Sequence, residues 1–257
     1  MQFGKYERPD GARGAMPEIG TPKRPRLPVD TRIYAIGDIH GCSNLLEEAF
    51  AIIDADVARI VPARCVQVFL GDYIDRGPDS RRTLDLLIGR SLKHETVFLK
   101  GNHEVLLLNV LRNPEAVENW IQFGGLTTLM SYGLKPSLNP NRKEQIELAK
   151  TFASEFPKDH LRFMGQLKPA FWCGDFFFVH AGLRPGVPMS QQKEEDMFWI
   201  RDTFLQSDEG FEKFIVHGHT PVREPDIQRH RINIDTGSYA TGKLTVLKIQ
   251  HETLSIA

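Results

Sequence analysis

From Arg32 onward, apolar and polar positions alternate between two rhythms. Ile33-Tyr34-Ala35-Ile36 is a short apolar run that stops at Gly37-Asp38, as a buried strand does. Ser43 then caps a stretch whose apolar residues, Leu45, Leu46, Ala49, Ile52 and Ile53, recur at helical spacing. The same order, strand, polar loop, helix, returns from Val66 to Ile88 and again from Val97 to Leu111. Three consecutive units of this kind predict an α/β protein with its functional loops at the carboxyl ends of the strands. Residues 113 to 168 read as helical and irregular, with Trp120, Phe123, Leu126 and Leu129 on one stripe, a turn around Pro136 to Pro140 and no evident chemistry. Strand-like runs resume at 170–172, 176–179, 214–216, 231–234 and 244–247. The expected architecture is two packed sheets flanked by helices, with the active loops on one edge.

Residues 1–31 break this pattern. Five prolines and four glycines among scattered charges leave too few apolar residues for a core, so they read as a flexible arm ahead of one domain, 32–257. Lys plus Arg number 32 against 33 Asp plus Glu, a balance that gives no reason to expect a nucleic-acid partner. Cys42, Cys65 and Cys173 stand far apart, in neither CxxC nor paired spacing, as reduced thiols in a cytoplasmic protein would. No segment approaches the ~18 apolar residues of a membrane span. Oligomeric state is left open.

What changes the picture is where the polar residues fall. At five places a strand-like run ends in metal-ligand residue types: Gly37-Asp38-Ile39-His40-Gly41, Gly71-Asp72-Tyr73-Ile74-Asp75-Arg76-Gly77, Gly101-Asn102-His103-Glu104, His180-Ala181-Gly182 and His217-Gly218-His219-Thr220-Pro221. Any one of them alone reads as a turn with a helix cap. Their coincidence at strand ends points to a metal centre. Glycines suit sharp turns off a strand and leave room for an ion near the backbone. Mixed His, Asp and Asn donors suit Mn²⁺, Fe or Zn²⁺. Two such ions need a shared anionic ligand, and a carboxylate bridges where an imidazole does not. No cysteine lies in a Cys-x5-Arg loop, so a phosphocysteine route is not expected.

These motifs resemble those of the metallophosphoesterases and, more narrowly, of the bacterial and phage members of the phosphoprotein phosphatase family. They occur in the family's order and span about Ile33 to Leu247. The resemblance implies a two-sheet sandwich with a dinuclear site, two divalent ions with Mn²⁺ expected first, and a hydroxide shared by both ions as nucleophile. It makes Asp38 and His40 ligands of one ion, Asp72 the bridge, and Asn102, His180 and His219 ligands of the other. His103 would protonate the leaving oxygen with Asp75 orienting it, and Arg76 would grip the phosphoryl oxygens. Trp199-Ile200-Arg201-Asp202 resembles a second phosphate-binding segment and implicates Arg201. His217 has no ligand counterpart and is expected as a hydrogen-bonded neighbour.

The activity so implied is a metal-dependent serine/threonine protein phosphatase acting on phosphorylated protein or peptide. Two alternatives remain: a symmetrical dinucleoside tetraphosphate hydrolase and a catalytically silent metal-binding scaffold. The symmetrical hydrolases usually lack an acid where Asp75 stands, carry GNHD in place of GNHE and follow the last histidine with Trp, so all three positions favour the phosphatase. The scaffold reading would show degenerate motifs, and none of the six proposed ligands is missing.

Overall fold

The computed structural model describes residues 24–257, and most of the expected arm, residues 1–23, lies outside the described residues. The rest of that segment is tied to the body. Leu27 is buried and its N–H donates to His251 O at 3.0 Å, while the Arg26 N–H donates to Asp175 Oδ2 at 3.0 Å.

Strands β1 (Thr31–Ile36), β2 (Arg64–Phe69) and β3 (Glu95–Phe98) are parallel and are separated by α1 (Ser43–Arg59) and α2 (Ser80–Ser91); α3 (Asn102–Arg112) follows β3. Helices α4 (Val117–Gln122), α5 (Gly125–Ser131), α6 (Arg142–Glu155) and α7 (Lys158–Gly165) follow in turn. The second sheet is built from β4 (Ala170–Cys173), β5 (Phe176–Val179), β6 (Phe214–His217), β7 (Asp226–Ile227) and β8 (Arg231–Asn233), with short α8 (Glu194–Trp199) and α9 (Asp202–Leu205) between β5 and β6. After α10 (Ser238–Thr241), β9 (Val246–Gln250) and β10 (Thr253–Ile256) return to the first sheet, giving the orders β10-β9-β1-β2-β3 and β4-β5-β6-β8-β7.

Strand alternation explains the layers, because successive side chains face opposite sides. Ile33 and Ala35 of β1 join Val66, Val68, Phe176, Phe178, Val216 and Ile232 in the core between the sheets. Tyr34 and Ile36 point the other way, into a core shared with α1, α2 and α3. Burial on both faces is why these parallel strands read as nearly continuous apolar runs. The stripe expected in 113–168 is real, and Trp120 and Leu129 complete that helical core together with Phe152 and Phe156 of the same segment.

Local details differ from the sequence reading. Cys42, not Ser43, occupies the N-cap of α1; Ser43 is its first residue, with its hydroxyl donating to Asp79 Oδ2 at 3.3 Å. The last apolar run begins as strand at Val246 rather than Leu244, although Thr245 O still accepts the Gly37 N–H at 3.1 Å at the end of the β1–β9 pairing. Among the described residues no helix is long and apolar enough to cross a membrane.

Candidate metal centre

β1, β2, β3, β5, β6 and β8 end on the same side, and each releases its functional loop there. The register keeps the first three level, with Ile36 opposite Phe69 and Phe69 opposite Phe98. Asp38 and His40 follow β1, Asp72 follows β2, Asn102 follows β3, His180 follows β5 and His219 follows β6. All six are at most 4% exposed.

Two sets of donor atoms lie within binding distance of one another: His40, Asp72 and His103, and Asp72, His180 and His219. Asp72 belongs to both. Its Oδ2 lies 3.7 Å from His40 Nε2 and 3.8 Å from His103 Nε2, while Oδ1 lies 3.4 Å from His180 Nε2. Asn102 Oδ1 joins the second group, 3.1 Å from His180 Nε2. Asp38 borders the groups without being in either: Oδ2 accepts the His219 N–H at 3.0 Å, and Oδ1 is buried without a partner.

The residues fit cations. Carbonyl oxygens can only accept, so His40 Nδ1 donates to Ile74 O at 3.0 Å and His180 Nδ1 to Leu70 O at 2.9 Å, which turns each Nε2 toward the centre. Metal-binding imidazoles are fixed in this way by a bond from the other ring nitrogen. His219 carries a buried Nε2 with no hydrogen-bond partner, a costly arrangement for a polar atom unless an ion satisfies it, and His103 Nε2 is likewise buried and unpartnered, facing the same space. Burial, then Asp235 and Asp72, raise the proton affinity of Asp38, and nearby positive charge would relieve that repulsion. His219 is pushed down to about 2 by burial and then by His180, so it stays neutral with its lone pair free.

Several of the residues gathered here are strained. His40, Asp72, Asp75, Arg76 and His219 all have φ between +47° and +71°, which is uncommon for side chains bearing a Cβ. Two motif glycines serve space rather than conformation. A Cβ on Gly101 would strike the Asp72 carboxylate, and one on Gly218 would strike that of Asp38.

His103 is 0% exposed and faces two carboxylates. Its Nδ1 lies 2.7 Å from Asp75 Oδ2. Burial disfavours its charged form, but Asp72 and Asp75 outweigh that and raise its pKa. Arg76 is half-buried at the rim, with Nη1 3.3 Å from His40 Nε2 and its guanidinium 5.0 Å from the Tyr239 ring centre. Arg201 lies on the junction before α9 rather than on a helix face, exposed and close enough to depress the His219 pKa.

His217 points elsewhere. It is fully buried, belongs to neither donor group, packs edge-on to Phe204 at 5.0 Å and has Nε2 3.5 Å from Arg231 Nη1. We expect His219→Ala to lose an ion and nearly all activity, and His217→Ala to keep two ions and a measurable rate. Metal analysis of the purified variants checks this, and equal metal loss in both would make His217 a ligand.

Three contributors were not assigned roles from sequence. Glu104, in the quoted GNHE motif, accepts three backbone N–H groups: Asp72 and Gly101 on Oε2 at 2.9 Å each, and Tyr73 on Oε1 at 2.8 Å. It thereby fixes the peptide that carries Asp72; burial, then Asp72, push its pKa to about 7. Glu104→Gln would turn an amide donor against backbone donors. A stability loss of about 1–3 kcal/mol is expected, with metal affinity weakened about 10- to 100-fold; thermal melts and metal titration read the two effects. Asp235 follows β8 as the other acids follow their strands, and Asn233-Ile-Asp235-Thr-Gly237 had the same strand-end signature. The third is the helical segment 113–131, read as devoid of chemistry. It sends Trp120 and Thr128 to Asp75, and Gly124 O accepts the Arg76 N–H at 3.3 Å.

Comparison with known proteins agrees with this arrangement. The family described as calcineurin-like phosphoesterase matches residues 31–253. An asymmetrical bis(5'-nucleosyl)-tetraphosphatase PrpE of Bacillus mycoides (strain KBAB4) is 30% identical over 244 residues, covering 86% of this chain and 92% of that protein. Its counterpart of the same name in Anoxybacillus flavithermus (strain DSM 21510 / WK1) is 27% identical over 240 residues, with the same coverage. Among solved structures, one provisionally described as a diadenosine tetraphosphatase superposes with a TM-score of 0.58 at 20% identity, covering 90% of this chain and 97% of that one. A Saccharomyces cerevisiae protein serine/threonine phosphatase gives 0.52 at 16% identity, covering 89% and 79%. At such identities the two structures report the fold alone. The curated relatives thus carry a nucleotide-hydrolase name where the motif resemblance pointed to protein phosphatases. The positions weighed against a nucleotide hydrolase were those of the symmetrical enzymes, whereas these relatives are named as asymmetrical ones; two of those positions, Asp75 and Glu104, here contact His103 and the Asp72 peptide. With nearly its whole described length inside the family match and paired donor groups meeting at Asp72, the chain belongs to the calcineurin-like phosphoesterases, hydrolases built around a dinuclear divalent metal site.

Proposed function

We propose that this chain is a dinucleoside tetraphosphate hydrolase that cuts asymmetrically. The observation that carries the reading is 27–30% identity to relatives of that name along 86% of the chain. Asp38, His40, Asp72, Asn102, His180 and His219 would hold two divalent ions, Asp38 and His40 serving one and Asn102, His180 and His219 the other, with Asp72 supplying the anion that both share. Nitrogen and oxygen donors without thiolate support Mn²⁺, with Fe or Zn²⁺ as alternatives. When bound, such a pair activates water near neutral pH and neutralises charge on the phosphoryl group.

The chain's own residues do the rest. Arg76 and Arg201 orient the polyphosphate oxygens. His103, with Nδ1 bonded to Asp75, presents Nε2 to the leaving oxygen and delivers a proton there. The free state of Cys42, Cys65 and Cys173 supports a cytoplasmic setting.

A second reading, hydrolysis of phosphoserine or phosphothreonine, is favoured by the His103–Asp75 pair, since an alkoxide needs a proton donor more than a nucleotide phosphate does. Products separate the readings. With Mn²⁺ and diadenosine tetraphosphate we expect AMP and ATP in equal amounts, at a rate well above phosphate release from phosphopeptides. Two equivalents of ADP would mark a symmetrical hydrolase, and faster release from peptides would make this a protein phosphatase.

A further inference from the structure

We infer that Trp120 and Thr128, supplied by the helical segment between β3 and β4, are positioning residues that set the proton donor through Asp75; this rests on the reading of His103 as that donor. Asp75 is 0% exposed and its carboxylate is held on both oxygens. Oδ2 accepts the Trp120 indole N–H at 2.8 Å alongside His103 Nδ1 at 2.7 Å, and Oδ1 accepts the Thr128 hydroxyl at 2.6 Å. Thr128 Oγ1 and Ser80 Oγ, 2.8 Å apart, each lie 3.0 Å from the Asp75 N–H. Trp120 and Thr128 are themselves fully buried, and Trp120 stacks on Phe152 at 5.8 Å.

The arrangement fixes more than a side chain's place. Asp75 sits at φ +71°, uncommon for a residue bearing a Cβ, and its carboxylate is aimed by the groups that donate to it. With one oxygen taken by Thr128 and the other shared by Trp120 and His103, the carboxylate plane is set. The His103 ring has one orientation in which Nδ1–H meets Oδ2, and in it the unpartnered Nε2 lies 3.8 Å from Asp72 Oδ2, inside the centre. Neither Trp120 nor Thr128 is in the donor groups, so each acts through Asp75 and His103.

The test compares Trp120→Phe, Thr128→Val, Thr128→Ser and His103→Asn on phenyl phosphate and nitrophenyl phosphate, whose leaving groups need the donor strongly and weakly. For Trp120→Phe and Thr128→Val we expect kcat on phenyl phosphate to fall about 10- to 100-fold, as small misplacements of a reacting group do. KM should be unchanged, the loss on nitrophenyl phosphate several-fold smaller, and Thr128→Ser should restore the rate. In the zinc-loaded protein the His103 Nδ1–H resonance should be protected from exchange in wild type and Thr128→Ser and exposed in the other two positioning variants. If His103→Asn shows leaving-group-dependent loss but Trp120→Phe and Thr128→Val do not, the positioning inference fails while the donor reading stands. If His103→Asn hurts both substrates equally, the donor reading fails and takes this inference with it. Thr128→Val alone decides the matter should Trp120→Phe not fold.

Discussion

Replacing Asp72 by Asn is expected to strip the metal centre and abolish turnover together. It is the sole residue shared by the two donor groups. Two dications at the ~3.5–4 Å spacing of such centres repel by more than about ten kcal/mol even at an effective dielectric of ~20, and a bridging anion offsets that. Asn keeps the shape and the acceptor for the His103 N–H, which now reaches Asp72 Oδ1 at 3.1 Å, so the fold should survive. It removes the charge. Burial alone would raise the Asp72 pKa, yet His180, His103 and His40 hold it well below the ordinary carboxylate range, so the residue is an anion in the native protein. Metal content by mass spectrometry and rate on diadenosine tetraphosphate should fall in parallel, with circular dichroism unchanged. A variant that keeps two ions and more than about a tenth of the wild-type rate would remove the bridge from Asp72, given the several kcal/mol such ions supply.

His103→Asn is expected to separate chemistry from metal binding. The geometry allows two roles, because His103 Nε2 lies in one donor group while Nδ1 is committed to Asp75. As a proton donor outside the metal shell, His103 can be lost with both ions retained, while rates fall about 10²–10⁴-fold on substrates whose leaving group needs a proton. Nitrophenyl phosphate, which leaves without help, should be hurt less than a phosphoserine peptide. Loss of an ion in this variant would place His103 among the ligands and leave Asp38, bordering the groups with an unpartnered Oδ1, in the outer role.

The layered α/β fold was legible because parallel strands buried on both faces leave unbroken apolar runs, and because each run here is followed by a polar loop. β1, β2 and β3 all appeared within a few residues of their real bounds for that reason. β7 and β10 did not, since Asp226–Ile227 is two residues long and Thr253–Ile256 is exposed along most of its length; pairing with β8 and β9, not local pattern, makes them strands.

For the centre itself, the sequence by itself determined which residue types stand at strand ends, and parallel topology then had to bring them to one side. It could not say how they would be held. The positive φ of His40 is secured by its N–H on Asp72 O at 2.8 Å, and that of His219 by its N–H on Asp38 Oδ2, 181 residues away. Which imidazole nitrogen faces inward follows from carbonyls of Ile74 and Leu70 in other loops. His217 and His219 look alike along the chain, yet one turns to Arg231 and the other to the donor group. Glu104 acts on Asp72 and Tyr73, and Trp120 on Asp75 45 residues earlier. Tertiary structure decided these points because each is a hydrogen bond between segments distant in sequence, whose formation depends on packing that no local pattern of hydrophobic and polar residues encodes.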